Sequence, residues 1–347
     1  MKNTSLSFMF AVDSAAMLRG TQFLITGGTG FIGRHVVNRL LLQGRRVRVF
    51  CRKPEKAQRL FGDRVTLAHG DLCNRASVVT AARDCDMVIH LGAAFRFGRR
   101  ARRIIEETNV RGTEHVLEAA ERSGVERFVH VSSCGVLEGR KALVTERDFP
   151  DHVAEYEHYR RSKWLSELAA LEAARRGLPV TIATPTSPLG AGDETPTPTG
   201  RIVRDFLRGQ FPFSAHVGLN FIHVNELADG ILAVAERGRI SERYLLGHHN
   251  IWLQEFLETL GRITNRSAPR VALPLPAITL AGAVGEAIGS ERVCRETSAH
   301  ARRRQWFDFT KAAEELGWRA RRPLETIADE AVQWFQHGPQ QPWFSLL

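Results

Sequence analysis

The stretch ITGGTGFIGRHVV, Ile25 to Val37, constrains the fold of this 347-residue chain more than any other. Gln22 to Thr26 reads as a short buried strand, Gly27, Gly28, Gly30 and Gly33 punctuate a turn, and Phe31 to Leu42 has the apolar spacing of a helix. In that order the three pieces make a phosphate cradle. The glycines let the backbone turn tightly and approach a pyrophosphate, and the first N–H groups and positive dipole end of the helix hold its charge. Glycines alone would equally describe an ordinary tight turn; the strand before and the helix after favour a dinucleotide cofactor.

Strand-like segments recur at 46–50, 65–68, 86–90, 127–131 and 179–184, separated by helix-compatible stretches. This alternation predicts a Rossmann-type α/β fold, a doubly wound parallel sheet with helices on both faces. Right-handed crossovers place the site at the carboxyl ends of the strands, near the switch in strand order, where Gly70, Gly92, Ser133 and Pro185 fall. After about residue 185 the alternation ends in SPLGAGDETPTPTG, and the rest reads mainly as short helices and loops. The expected organisation is a disordered lead over 1–20, a dinucleotide-binding core over 21–185, a small, mostly helical substrate cap over 186–335 with some return to the core, and a tail over 336–347. Within the lead, the apolar run FMFAV is cut by Asp13 and is too short for a secretion signal or a span, and Met17 offers an alternative start.

Tyr159 and Lys163, in HYRRSKWLSELAA, stand at i and i+4 and so share a helix face. A phenol acting as a base near neutral pH needs its pKa lowered by about three units, roughly 4 kcal/mol, and a neighbouring ammonium and an oxidised nicotinamide both act in that direction. Ser133, closing the strand in VHVSSCG, can donate a hydrogen bond to a substrate oxygen while Tyr159 exchanges the proton. Tyr156 fails the pattern because Arg160 stands four residues beyond it, and Cys134 reads as a packing residue. At the end of the second strand, in VRVFCRK, Arg52 and Lys53 stand where an acidic residue would hold the ribose hydroxyl of NAD, so NADP(H) is favoured over NAD(H), with Arg52 the better phosphate partner.

The spacing of Thr26, Gly27, Gly30 and Gly33 resembles the TGxxGxxG loop of extended short-chain dehydrogenase/reductases, the NAD-dependent epimerase/dehydratase family. The resemblance runs from about residue 21 to 336. It implies a cofactor set of Gly27, Gly30, Phe31, Ile32 and Gly33 in the loop, Asp71 and Leu72 beside the adenine, Leu91, Ala93 and Ala94 after strand four, Asn109, the pair Tyr159 and Lys163, and Pro185, Thr186 and Ser187 near the nicotinamide. It also favours Ser133 over Ser132. Thr184 departs from the arginine or asparagine common before that proline, and His223 in NFIHVNELADG matches a cap motif in which it either orders a loop or meets substrate. The wording TPTPTGRIVRDFLRG and LNFIHVNELADGILAVAERG is similar to the hopanoid-associated sugar epimerase group, itself similar to dihydroflavonol reductases. That implies hydride transfer at a secondary alcohol or ketone, with epimerisation of a sugar or lipid-linked sugar first. A ketone reductase of dihydroflavonol reductase or 3β-hydroxysteroid dehydrogenase type is the alternative, and a non-catalytic nucleotide-binding scaffold is the third reading. Cys134 and Gly135 stand where a dehydratase carries carboxylates, which disfavours dehydration. Relatives dimerise through helices corresponding to 100–123 and 154–176, which implies a homodimer.

With 43% hydrophobic and 25% charged residues, the chain reads as an ordinary soluble globular protein. Its five cysteines are odd in number and lack metal-ligand spacing, which points to reduced thiols, a cytoplasmic setting and no metal site. The net charge of +10 is spread along the chain without a recognition motif, so nucleic acid is not an expected partner. Arg99, Arg100, Arg102 and Arg103, and later Arg302 to Arg304, form the denser basic clusters, more simply read as solvated faces. The segment LPLPAITLAGAVGEAIG, 273–289, is too broken to span a membrane. It reads either as a cap helix packed on the core or, with Arg292 and Arg295 beside it, as a site of peripheral membrane contact.

Overall fold

The computed structural model describes residues 20–138, 143–211, 213–302 and 305–338. The expected lead, except for Gly20, most of the expected tail, and Arg303 and Arg304 lie outside them. The first half of the chain alternates as the sequence predicts: β1 (Gln22–Thr26), α1 (Phe31–Leu42), β2 (Arg46–Cys51), α2 (Pro54–Phe61), β3 (Thr66–His69), α3 (Arg75–Ala82), β4 (Met87–His90), α4 (Arg102–Ile105), α5 (Gly112–Ser123), β5 (Arg127–Val131), α6 (His158–Arg175) and β6 (Val180–Pro185). The second half adds β7 (Ser187–Leu189), α7 (Pro198–Leu207), β8 (Ser214–Ala215), β9 (Gly218–His223), α8 (Val224–Arg237), β10 (Arg243–Leu246), β11 (His249–Trp252), α9 (Leu253–Thr264), β12 (Ala272–Leu273), α10 (Leu275–Ala287), α11 (Arg295–Ala301), α12 (Thr310–Leu316) and α13 (Leu324–His337).

Seven parallel strands form the main sheet in the order β3-β2-β1-β4-β5-β6-β10. This is a Rossmann-type fold, with its order switch between β1 and β4. Because both faces of the sheet are covered, its strands read as near-continuous apolar runs. In β1, Phe23 and Ile25 join a core with Val36, Val37 and Leu40 of α1 and Ile231 of α8, whereas Leu24 faces the opposite core with Val116 and Leu117 of α5 and Ala170 of α6. A third core, around Phe206, Phe221, Phe256, Leu260 and Ile327, lies within the cap, where β7 pairs parallel to β9 and β11 pairs antiparallel to it.

The part beyond residue 185 is mostly helical, as expected, with six short strands among its described residues, and β10 makes the expected return to the core, joining the main sheet beside β6. Two expectations need correction. The helix expected from 154 starts at His158, where its first turn is fixed by the carboxylate of Glu296. The helix expected over 100–123 is interrupted: Arg99–Ala101 is a 3-10 turn, α4 follows, and Glu106–Arg111 is a π-helical turn before α5. Such wide turns recur at functional sites. Here the turn holds Asn109, buried and bonded across to the segment after β4.

The glycine turn explains itself sterically. Gly27 has φ +71°, and a Cβ there would come within 2.7 Å of Gly92 N. A Cβ on Gly33 would lie 2.1 Å from the carbonyl oxygen of Gly27, so α1 can approach the turn only if position 33 is bare. Gly33→Ala is expected to cost about 1–3 kcal/mol of stability by overpacking and to weaken nucleotide binding. Thermal denaturation and NADPH fluorescence titration would check this, and a variant with native melting and native affinity would refute the steric account.

Candidate active site

Gly27, Gly30 and Gly33 line the loop between β1 and α1, with Phe31 and Ile32 half-buried in the first turn of the helix. Gly30 caps α1 without any side-chain hydrogen bond to its first N–H groups. A bare, dipole-positive helix end above a cradle that admits no Cβ fits a pyrophosphate. Behind the loop, Thr26 Oγ1 pairs with His90 Nδ1 at 2.7 Å and accepts from Gly92 N at 3.1 Å, while His90 Nε2 meets Thr113 Oγ1 at 2.9 Å. Burial pushes the His90 imidazole down to about 3, so it serves as a neutral brace for the strand ends.

Arg52 and Lys53 follow β2 and are both exposed, so a 2′-phosphate could be met without desolvating a buried cation. Asp71 and Leu72 follow β3; Asp71 accepts from Cys73 N at 2.9 Å, and Leu72 packs beside Gly92. Leu91, Ala93 and Ala94 follow β4. Asn109 does not present its amide to the cleft in the way its place in the expected cofactor set suggests. It accepts from Ala94 N at 2.6 Å and donates to Ala94 O at 3.1 Å and Ser162 Oγ at 2.9 Å, tying the segment after β4 to α6. Thr186 is similar. Its N–H and hydroxyl both donate to Leu246 O, at 2.9 and 3.3 Å, and so lock the turn between Pro185 and Ser187 to β10.

Tyr159 opens α6, and its phenol lies near enough to Ser133, just beyond β5, for that hydroxyl to favour the ionised form. Ser132 points elsewhere, donating to the buried Glu167 carboxylate, which also pairs with Arg243. Lys163 is buried, and its ammonium donates to Val131 O at 2.8 Å. Burial lowers Lys163 to about 8, with Glu167 opposing. Burial pushes the Tyr159 phenol above its ordinary range; the Ser133 hydrogen bond opposes this, and Cys134 and Glu296 add to it. Lys163 gives its ammonium to the strand carbonyl, and burial shifts the phenol in the direction opposite to the one expected of a neighbouring ammonium and an oxidised nicotinamide acting together. Cys134, pushed up to about 12 by burial, is a packing thiol.

Sequence reasoning missed several residues. Phe95 and Phe97 wall the phenol, with ring centroids 4.6 and 5.5 Å from Tyr159. Arg160 donates to Gly135 O at 2.7 Å and pairs with Glu157 and Glu138 at 2.8 and 2.7 Å, bracing the segment after Ser133. Glu296 of α11 reaches across the fold: its carboxylate accepts from Tyr159 N at 2.8 Å, Arg160 N at 3.1 Å and Gly98 N at 3.4 Å. No local pattern announces a contact 137 residues apart. His223 takes the loop-ordering option. It is buried, caps α8 through Asn225 N and pairs with Glu330 at 2.6 Å.

With this geometry in place, comparison with known proteins identifies the chain's relatives. The model of the NAD dependent epimerase/dehydratase family matches residues 23–247. The chain belongs to that family. It is thus an NAD(P)-dependent oxidoreductase/epimerase of the extended short-chain dehydrogenase/reductase type. It is 34% identical over 331 residues to the "Putative dihydroflavonol 4-reductase" of Synechocystis sp., across 91% of this chain and 95% of that protein. To "Sterol demethylase protein B" of Methylococcus capsulatus it is 31% identical, across 72% and 77% of the two chains. Among solved structures, it is similar to PA4631, a nucleoside-diphosphate-sugar epimerase from Pseudomonas aeruginosa, with a TM-score of 0.78, 25% identity and coverage of 92% and 98%.

Glu296 gives the site a pH signature. Burial raises its carboxyl from 4.5 to about 7. Between those values the folded protein holds a proton that the unfolded chain releases, so this contribution to stability is complete below the lower value and is lost as pH rises through the upper. Glu296→Gln should therefore flatten the fall in melting temperature between about pH 5 and about pH 8, and should lower stability by about 0.5–2 kcal/mol through the weakened cap. Circular dichroism melts across that range would test this, and an unchanged slope would assign the transition to another group.

Proposed function

We propose that this enzyme reduces a ketone to a secondary alcohol, or runs the reverse reaction, on a substrate with an apolar body, using NADP(H) in preference to NAD(H). The observation that carries this reading is the surround of Tyr159. Its ring is walled by those of Phe95 and Phe97, with centroids 4.6 and 5.5 Å away, and burial holds its phenol above the ordinary range. That makes a proton donor beside an apolar surface, suited to a carbonyl on a hydrophobic skeleton. The nicotinamide, when bound, supplies or accepts the hydride.

The chain's own residues would divide the remaining work. Gly27, Gly30 and Gly33 cradle the pyrophosphate and Arg52, with Lys53, meets the 2′-phosphate. Phe31, Ile32, Asp71, Leu72, Leu91, Ala93 and Ala94 shape the adenosine side of the cleft, and Pro185 and Ser187 the nicotinamide side. Ser133 holds the substrate oxygen, and Tyr159 passes a proton between its hydroxyl and that oxygen. Lys163, anchored on Val131 O, retains N–H groups to steady a ribose and to place positive charge beneath the phenol when a phenolate is required. Asn109 and Thr186 act by fixing the backbone segments around them.

Epimerisation of a sugar or lipid-linked sugar is the second reading, favoured by the likeness to PA4631. It needs Tyr159 to accept and return the proton within one visit, with the cofactor retained throughout. Two further expectations belong to the proposal. A homodimer would use α5 and the long α6, on which Leu168 is exposed. A cytoplasmic setting agrees with the five free cysteines.

Tyr159→Phe is expected to bind NADPH as the parent does while ketone turnover falls by about 10²–10⁴-fold; retained turnover would overturn the assignment of the proton donor. Arg52→Ala should weaken NADPH by about tenfold or more and leave NADH nearly unchanged, since a charge-assisted phosphate contact is lost. An equal effect on both nucleotides would remove the case for NADP(H). Mass spectrometry of nucleotide released from the purified protein would separate the two reactions: tight retention supports epimerisation, and free exchange of NADPH supports reduction.

A further inference from the structure

The cap carries an apolar surface that the reaction does not use. Among the described residues, six of the fourteen exposed large hydrophobic side chains lie between residues 271 and 293. Leu280 and Val284 on α10 and Ile288 at its C-cap are 67, 55 and 71% exposed. With Ala277, Ala281 and Ala287 they recur at helical spacing, making one continuous stripe. The opposite face of α10 is what packs: Gly282 and Gly285 are buried, so close to Ser298 and Val293 that neither could carry a Cβ. The helix is thus attached along a narrow glycine face and turns its large apolar side chains outward. Beside the cap, Phe213 and Val271 are also exposed and immediately precede the paired strands β8 and β12.

Arginines border this stripe. The Arg100 guanidinium lies against Gly289 at the carboxyl end of α10, and the backbone N–H of Arg99 donates to Glu286 at 3.1 Å. Arg292 and Arg295 follow on the connection and helix that receive the glycine face. All four side chains are exposed, and none makes an ion pair among the described residues. Apolar side chains rimmed by unneutralised guanidinium groups match the two layers of an anionic bilayer surface, acyl boundary and headgroup. A second copy of the chain docked on the same stripe would bury guanidinium groups that have no ion-pair partner among the described residues, which desolvation opposes. No helix among the described residues is long and apolar enough to cross a membrane, so the contact is an interfacial one.

We infer that the exposed face of α10, with Arg99, Arg100, Arg292 and Arg295, docks the protein on anionic phospholipid membranes. The same region is wired to the site. Arg96 pairs with Glu291, and Glu296 bonds Gly98, so the docking cap grips the loop whose Phe95 and Phe97 wall Tyr159. A membrane-bound protein would then hold the mouth of its site near the lipid phase. The surface does not depend on the reaction proposed above, because docking concerns side chains outside the cleft.

The test is flotation of the full-length protein with vesicles of phosphatidylcholine alone or mixed with phosphatidylglycerol, at low and high salt and without substrate. The expected result is binding to the mixed vesicles that weakens with salt. Leu280→Asp/Val284→Asp should reduce that binding by about tenfold or more, and Arg292→Glu/Arg295→Glu should do the same at low salt. All four side chains are exposed, so NADPH titration and melting should match the parent and report that the fold is intact. Were the double aspartate variant to lose its fold, Leu280→Gln and the arginine pair would still read the surface. Three results would overturn the inference: a parent that stays unbound at low salt, variants that float as well as the parent, or a dimer abolished by Leu280→Asp/Val284→Asp with no vesicle binding. Each would leave the hydride-transfer reading untouched.

Discussion

The site rests on a buried charge. Glu167 lies inside the fold on the same stripe of α6 as Tyr159 and Lys163, one and two turns further along. A carboxylate there is tolerable only if it is answered, and two partners answer it: Ser132 from the end of β5 and Arg243 from β10. Arg243 also stacks on Phe149, 4.2 Å from the ring centroid. This junction joins the strand that carries Ser133, the helix that carries Tyr159 and Lys163, and the strand that returns from the cap region. It also separates the two adjacent serines: Ser132 is committed to Glu167, and Ser133 is left to meet the phenol. The distinction follows from the alternation of a strand, whose neighbouring side chains leave on opposite sides.

The cap is held to the nucleotide core by polar contacts at both ends of the cleft. At the pyrophosphate end, α1 offers Arg34, buried and paired with Glu194 at 2.9 Å, and His35, whose Nδ1 meets Asn225 Oδ1 at 2.6 Å and whose Nε2 meets Ala191 O at 3.0 Å. Burial lowers His35 to about 4, against the pull of its two oxygen partners, so its ring does not change charge within the physiological range. At the catalytic end the link is Glu296, whose acid titrates within that range. The two ends differ in their response to pH: one is fixed, and the other couples protonation of a cap residue to the first turn of α6.

Much of the fold was legible because the buried sheet imposes its pattern on the sequence. Five apolar segments at strand spacing and one glycine loop were enough to give the parallel sheet and the turn before α1, and the Tyr-Lys pair falls on one helix as its spacing requires. What stayed illegible depends on partners distant in sequence. Glu296 meets its N–H groups across 137 residues, and Arg243 meets Glu167 across 76. Asn109 and Thr186 show the reverse case: both fall where cofactor contacts were expected, yet their hydrogen-bonding groups are spent on neighbouring backbone. A motif records that a position is constrained without recording which atom imposes the constraint. The shorter strands of the cap were missed for a related reason, since two- to four-residue segments are too short to show a period.

Burial moves Tyr159 and Lys163 both toward their neutral forms, raising the phenol and lowering the ammonium to about 8. A site that only needed a base would gain from the opposite shift in the phenol. Burial instead disfavours the phenolate, a cost that an added positive charge beside it would offset. The oxidised nicotinamide is such a charge and the reduced one is not, so the same phenol is biased to donate in the presence of the reduced cofactor and to accept in the presence of the oxidised one. On the proposed reading, direction would follow from which form of the nucleotide the cleft retains, and retention would depend on the glycine loop and the basic end of β2. Arg52 would then be the residue at which retention of nucleotide and choice of reaction meet.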